Sequence, residues 1–331
     1  MKLLLVGCAA AAAAVGLSQH NVAAFVDHTG DGYTVLSAST GALKVNVSND
    51  GKTFSVMVED ETWFYSGDAT VTIDGQQWSV LNGTLALMST NSTRGSDAAG
   101  QYDALSFDWG VGGISTWTTT YKAYDQSPPT IVFQQTYNVA ILDAEGGSRF
   151  PDLALSKRAP IGALEYTGES CGFMVESHPS VSSIRGGNGN GAIVLSPQDV
   201  TGRGANASLA VGPVTEFFVN TAYSGGVSYG VAPTFTSIPY GFVVETALVA
   251  AIASNASTDG IRASIPGGGT NAALAAYGDF VLARHGKTRA AGDINNITKY
   301  LGYSTTGSAF VRGVLQLGVQ SDESANKHSR S

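Results

Sequence analysis

A mostly β chain, a large antiparallel β-sandwich followed by one α-helix, is the fold class this sequence predicts. Three observations predict it. Short runs alternate apolar and polar residues, as half-buried strands do. Asn-Gly and Asp-Gly pairs recur between those runs at hairpin spacing. Glycine is abundant at 41 of 331 residues while charged residues make up only 13%, a balance that suits many short strands joined by turns.

The elements follow in order. Residues 42–48 (ALKVNVS) alternate cleanly, Asn49, Asp50 and Gly51 supply a tight turn, and residues 53–58 (TFSVMV) alternate again. Residues 70–73 (TVTI) and 77–80 (QWSV) flank Asp74-Gly75 and are followed by Asn82-Gly83, repeating the theme. Residues 105–109 (LSFDW), 116–121 (TWTTTY) and 131–137 (IVFQQTY) are further strands, with Ser127-Pro128-Pro129 breaking the chain before the last. Turn signals at this spacing, with no helical period between them, point to a sandwich and not to a parallel α/β sheet. Residues 172–175, 192–195, 215–219 and 242–249 continue the β pattern between longer loops. After the breaker at 266–269 (PGGG), Thr270 or Asn271 can cap a helix; Ala273, Leu274, Tyr277, Phe280 and Val281 then share one face and Gly286 ends it.

The predicted organisation is a signal peptide at 1–18, a β-sandwich domain at 25–265, a connecting helix and strand stub at 266–310, and an unrelated-looking tail at 311–331, disordered from about 320. Lys2 and the apolar run from Leu3 to Leu17 have signal-peptide form, with small residues placing cleavage near Ser18. A lipobox reading at Leu5 to Cys8 fails because most of the apolar run follows the cysteine. No later run reaches the ~18 apolar residues of a membrane span. The expected location is therefore secreted, extracellular or in the endomembrane lumen. Six N-x-S/T sequons, at Asn46, Asn82, Asn91, Asn206, Asn255 and Asn296, agree with a secreted glycoprotein. A formal net charge of −8 with no Lys/Arg cluster argues against nucleic acid as a partner. Cleavage leaves Cys171 alone, which reads as a small buried apolar residue.

Candidate chemistry is sparse. Residues 168–172 (GESCG) match G-x-S-x-G, and Asp279 and His285 would complete the order of a serine hydrolase built on Ser170. The residues after Ser170 read as a strand, whereas that motif needs a helix there. The glycines of 187–191 precede a strand and lack the Lys-Ser/Thr of a phosphate loop. Asp27, Asp31 and Gly32 lack the rest of a calcium loop. His20, His28, His178, His285 and His328 show no metal-ligand spacing. No metal or cofactor is expected. Acidic residues such as Glu59, Asp60, Glu61 and Asp108 are plentiful, but nothing in the sequence pairs two of them for glycoside hydrolysis.

One segment carries a family likeness. Gly241-Phe242, residues 277–282 (YGDFVL), 286–289 (GKTR), Asp293 and 299–303 (KYLGY) occur in the order seen in a set of secreted glycoside-hydrolase-like proteins. That set is similar to the raffinose synthase and α-galactosidase group. The resemblance implies an N-terminal β-sandwich, a connecting helix and a (β/α)8 barrel whose first strand would begin at 299–303. Family members continue into a Trp-Thr-Asp-Asn-Gly type segment; here residues 304–310 (STTGSAF) stand instead. The catalytic carboxylates the family implies belong to the barrel, so no catalytic residue transfers to this chain. The reading is a truncated chain, inactive alone, whose barrel stub would favour self-association. Two alternatives stay open: a serine hydrolase using Ser170, and a carbohydrate-binding or structural glycoprotein. A sugar site would present an aromatic ring on an open sheet face, with Trp109, Trp117 and Tyr121 as candidates.

Overall fold

The computed structural model describes residues 25–29, 32–39, 41–156, 161–169, 172–186, 191–197, 207–217, 219–233, 235–252 and 269–288. The expected signal peptide, barrel stub and tail lie outside these residues, as do Asn206, Asn255 and Asn296.

Twenty-one strands and one α-helix make up the described chain. The strands are β1 Phe25–Thr29, β2 Tyr33–Ser37, β3 Leu43–Ser48, β4 Phe54–Val58, β5 Glu61–Ser66, β6 Thr70–Ile73 and β7 Gln76–Ser79. Then come β8 Ala86–Asp97, β9 Gly100–Val111, β10 Ile114–Tyr124, β11 Thr130–Tyr137, β12 Ile141–Arg149, β13 Asp152–Leu155 and β14 Ile161–Glu169. The last are β15 Gly172–His178, β16 Ile193–Pro197, β17 Ala207–Pro213, β18 Asn220–Tyr223, β19 Val227–Val231, β20 Phe235–Ile238 and β21 Val243–Ile252, before helix α1 Gly269–Arg284. The fold class is therefore mostly β, as the alternation indicated.

The pairings are antiparallel throughout. An eight-stranded sheet (β1-β2-β3-β4-β5-β13-β19-β18) faces a nine-stranded one (β15-β14-β16-β17-β21-β11-β10-β9-β8), and a small four-stranded sheet (β20-β12-β6-β7) adjoins them. The hairpin β3–β4 turns at Gly51, whose φ of 70° is the left-handed conformation glycine adopts freely. The hairpin β6–β7 turns at Asp74 and Gly75, both with positive φ, the pattern of a two-residue type I′ loop.

Between the two large sheets lies one continuous core. Leu36, Val45, Val56 and Phe64 enter from one side, and Phe107, Trp109, Tyr121 and Phe133 from the other. Ring pairs such as Phe54–Tyr121 at 5.4 Å and Phe133–Phe150 at 5.8 Å meet edge to face. The nine-stranded sheet is also covered on part of its outer face. There Phe280 of α1 packs against Tyr124, Val132, Ala247 and Val249, and Ala273 packs against Val194 and Ala210. Covering on both faces explains why β21 is buried at successive positions and reads as mostly apolar and not alternating, with Glu245 and Thr246 as its polar members.

Helix α1 begins at Gly269, so Thr270 and Asn271 fall in its first turn and not before it. Of the expected apolar face, Ala273 and Phe280 are buried and Tyr277 is anchored by donating a hydrogen bond to Pro213 O at 2.5 Å. Gly286, with φ of 65°, stops the helix while Lys287 N donates to Leu282 O at 2.8 Å. No described helix is long and apolar enough to cross a membrane.

Asp103 on β9 carries a pH prediction. Burial raises its carboxyl above the ordinary value; Arg94 opposes the rise and Asp125 adds to it. A raised carboxylate pKa means the folded state holds its proton more tightly, so stability falls as pH rises from the unfolded value through the folded one. Asp103→Asn removes the charged form. It is expected to raise the urea midpoint at pH 7 and to leave it unchanged near pH 3, where both side chains are neutral.

Candidate functional site

The outer face of the nine-stranded sheet changes character along its strands. Under α1 it is apolar around one buried ion-pair cluster, Lys122–Glu245–Arg284; beyond the helix it is a field of hydroxyl and amide groups. Register produces this. The pairs Ser89–Asp108 and Asn91–Ser106 join β8 to β9, and Thr118–Asp108 and Thr120–Ser106 join β9 to β10. Residues directly opposite share a face, so these side chains form rows across three strands.

At the centre is Asp108. Its Oδ1 accepts hydrogen bonds from Ser115 Oγ at 2.6 Å, Thr118 Oγ1 at 3.2 Å and Asn138 Nδ2 at 3.1 Å. Asn138 Nδ2 also donates to Ser115 Oγ at 2.9 Å and Thr118 Oγ1 at 2.7 Å. Such mutual bonding locks the four side chains in position. Asp108 Oδ2 accepts no hydrogen bond from the described residues and is left to a ligand or to water.

The rim is aromatic. Tyr240 stands 75% exposed at the edge of a cleft of about 460 Å³ whose floor holds Ser106, Asp108, Ser115, Thr118 and Asn138. Its exposure is built by a turn. Phe242 N donates to Pro239 O at 3.2 Å, and Gly241 at φ 74° takes the third position, which in this kind of turn demands glycine. The turn is tied down by Gly241 N to Tyr137 O at 2.8 Å and Tyr137 N to Phe242 O at 3.0 Å. The ring is thus held out on a fixed backbone.

The three aromatic residues expected to form a sugar platform point the other way. Trp109, Trp117 and Tyr121 are 1%, 0% and 1% exposed, inside the core between the sheets. Trp109 Nε1 donates to buried Thr119 Oγ1 at 2.9 Å, and Tyr121 meets Phe54 and Phe150 edge to face. Burial pushes the Tyr121 hydroxyl well above its ordinary pKa. They are core residues, and no ligand reaches them without separating the sheets. Their alternates Asp108 and Thr118 occupy the open face. The period-2 rule that identified the strands also carried that information: fixing the tryptophans inward puts Asp108 outward. The Pro239-Tyr240-Gly241 turn was likewise readable. The bond from Asn138 to Asp108 joins the end of β11 to β9 across β10 and was not.

A second groove, of about 490 Å³, lies on the outer face of the eight-stranded sheet between Tyr33 and Tyr65. Between those rings Asn46 turns its Nδ2 to Met57 Sδ at 3.0 Å. Among the described residues its polar lining is neutral, from Asn46, Thr53, Ser55 and Ser66, with no carboxylate to accept from a ligand's hydroxyls.

Ser170 and Cys171 lie outside the described residues. On either side are β14 and β15, whose register closes at Glu169–Gly172, so two antiparallel strands stand where a nucleophile turn requires strand then helix. His285 Nε2 lies 2.8 Å from Val214 O at the end of α1, with Phe217 beside the ring. Asp279 is an exposed helix residue.

No protein-family model matches the chain, and no curated protein matches its sequence. Among solved structures it is similar to the α-N-acetylgalactosaminidase NagBb from Bifidobacterium bifidum in its GalNAc complex, at TM-score 0.42 and 12% identity, covering 67% of this chain and 36% of that one. It is also similar to galactose 1-epimerase from Lactobacillus acidophilus NCFM, at TM-score 0.37 and 7% identity, covering 70% of this chain and 98% of that one. This chain thus spans little more than a third of NagBb. At these scores neither likeness bears on the reading of the site.

Proposed function

We propose that the chain is the non-catalytic β-sandwich part of a secreted glycoside-hydrolase-like protein, and that its open polar face binds a neutral carbohydrate at the Asp108 cleft. The observation that carries this is the convergence of Ser115, Thr118 and Asn138 on one oxygen of Asp108, with the other oxygen open and Tyr240 at the rim. A sugar ring matches such a surface. Its hydroxyls need alternating donors and acceptors, and its C–H face needs an aromatic plate. Hydrolysis in most glycosidases needs two carboxyl groups about the scissile bond, and among the described residues Asp108 is the sole carboxylate lining this cleft. Binding without cleavage is what this geometry supports. The family resemblance of residues 241–303 supports the wider setting.

A glycan array probed with the purified chain, followed by calorimetric titration of the best ligand, tests this. Asp108→Ala and Tyr240→Ala are each expected to weaken binding at least ~10-fold, the loss of about 1.4 kcal/mol of contact. Tyr65→Ala, in the other groove, is expected to leave affinity unchanged. Absence of binding, or loss on Tyr65→Ala with Asp108→Ala unaffected, would overturn the assignment.

The same reading makes a prediction about glycosylation. Asn82 and Asn91 are exposed. Asn46 is half-buried, with its amide against Met57 and its Oδ1 shielded from solvent. Mass spectrometry of the secreted protein is expected to find glycan at Asn82 and none at Asn46; Asn91 lines the Asp108 cleft, where an attached glycan would block the sugar, so it too is expected to be bare.

A further inference from the structure

Near the far edge of the nine-stranded sheet a second cluster forms. The register of β14 with β15 sets Glu165 opposite Glu176 and Ala163 opposite His178. Glu165, Glu176 and His178 therefore project from the same face of one hairpin. One ligand atom from each lies within 4.8 Å of the others. His178 Nε2 is 2.9 Å from Glu165 Oε2 and 3.8 Å from Glu176 Oε2.

Two features separate this cluster from an ordinary ion pair. Glu165 is fully buried and His178 is only 7% exposed, yet His178 Nε2 completes no hydrogen bond. At 2.9 Å the distance to Glu165 is short enough, so it is the alignment that fails. A buried imidazole nitrogen that lies beside two carboxylates and completes no hydrogen bond is available to a ligand. In addition, Glu165 is already oriented from behind. Its Oε2 accepts from Arg185 N at 3.0 Å and its Oε1 from Gly186 N at 2.8 Å, the outer support that fixes a ligating carboxylate. Arg185 Nη1 engages Glu176 Oε1 at 3.2 Å, leaving Glu176 Oε2 on the His178 side.

We propose that Glu165, Glu176 and His178 bind a zinc-class divalent transition metal. One imidazole nitrogen and two carboxylate oxygens suit Zn²⁺. Ca²⁺ would require six to eight oxygens, and the imidazole disfavours it. Three protein ligands leave a fourth position for water or another donor. The ion would tie the β14–β15 hairpin to the segment at Arg185 and Gly186.

Chelator-treated full-length chain titrated with ZnCl₂ tests the proposal, read by calorimetry and by the melting temperature. One saturable Zn²⁺ per chain with a raised Tm is expected, and CaCl₂ and MgCl₂ at the same concentration should give neither. Glu176→Gln, at a half-buried position that should fold, and His178→Gln are each expected to weaken uptake at least ~10-fold. Cys171→Ser, at a position between β14 and β15 in the sequence, should retain it. No saturable uptake, or equal uptake by wild type and Glu176→Gln, would overturn the site, as would loss of uptake on Cys171→Ser. If His178→Gln fails to fold, Glu176→Gln alone decides.

Discussion

Glu245→Ala is expected to destabilise the protein by about 3–5 kcal/mol, the cost of leaving buried charge uncompensated. Glu245 is fully buried on the outer face of β21, beneath α1. Lys122 Nζ of β10 donates to its Oε1 at 2.8 Å. Arg284, in the last turn of α1, donates from Nη2 to Glu245 Oε1 at 3.2 Å and brings the same nitrogen to 2.9 Å from Oε2 as an ion-pair contact. Arg284 Nε also lies 3.4 Å from Asp97 Oδ2, which accepts from the Tyr124 hydroxyl at 2.7 Å. One carboxylate thus joins the sheet to the helix. Removing it strands Lys122, whose side chain is 9% exposed. Against a typical total stability of about 5–15 kcal/mol, the lowered urea midpoint should be unmistakable, and α1 should become open to protease. Lys122→Met in the Glu245→Ala background is expected to recover part of the loss, since it removes the orphaned charge. Fully additive losses would show that the pair does not act as a unit.

Gly230→Ala is expected to cost on the order of 3 kcal/mol, the upper part of the range for overpacking. A Cβ at Gly230 would lie 2.1 Å from Ser148 O, 2.7 Å from Ser148 C and 3.1 Å from Arg149 Cα. These are backbone atoms, so no side chain can swing away. The two strands are also pinned there: Val231 N donates to Ser148 Oγ at 3.0 Å and the Tyr223 hydroxyl to Ser148 O at 2.8 Å. Accommodating a methyl group means parting β19 from β12, which links the four-stranded sheet to the eight-stranded one. Gly226 is the control. Its Cβ would meet only Ser228 Oγ, at 3.9 Å, and its φ is not positive. Gly226→Ala is therefore expected to be neutral or mildly stabilising through the unfolded chain. Equal effects at both positions in thermal denaturation would contradict this account.

How much of this was legible in the sequence depends on range. The hairpins at Gly51 and at Asp74-Gly75 were readable because a tight turn and its flanking alternation are local. Helix α1 and its stop at Gly286 were readable for the same reason. The third sheet was not, since it pairs β12 with β6 across some seventy residues and no local pattern encodes that partner. The candidate site was half legible. Strand alternation separates Trp109 from Asp108, but which set faces inward depends on what lies opposite. Aromatic residues suggested a platform; their bulk instead fills the space between two large sheets. The Glu165–Glu176–His178 cluster was illegible because its members meet through cross-strand register, while sequence spacing reports metal ligands only when they sit close along the chain.

The most direct test of the central claim is an NMR titration of the isotopically labelled chain with the best neutral oligosaccharide. The Asp108 cleft predicts saturable shifts in the side-chain amide of Asn138 and the ring of Tyr240, with Tyr33 and Tyr65 unmoved, and their loss in Asp108→Ala. Shifts confined to Tyr33 and Tyr65, or none with any sugar, would contradict it.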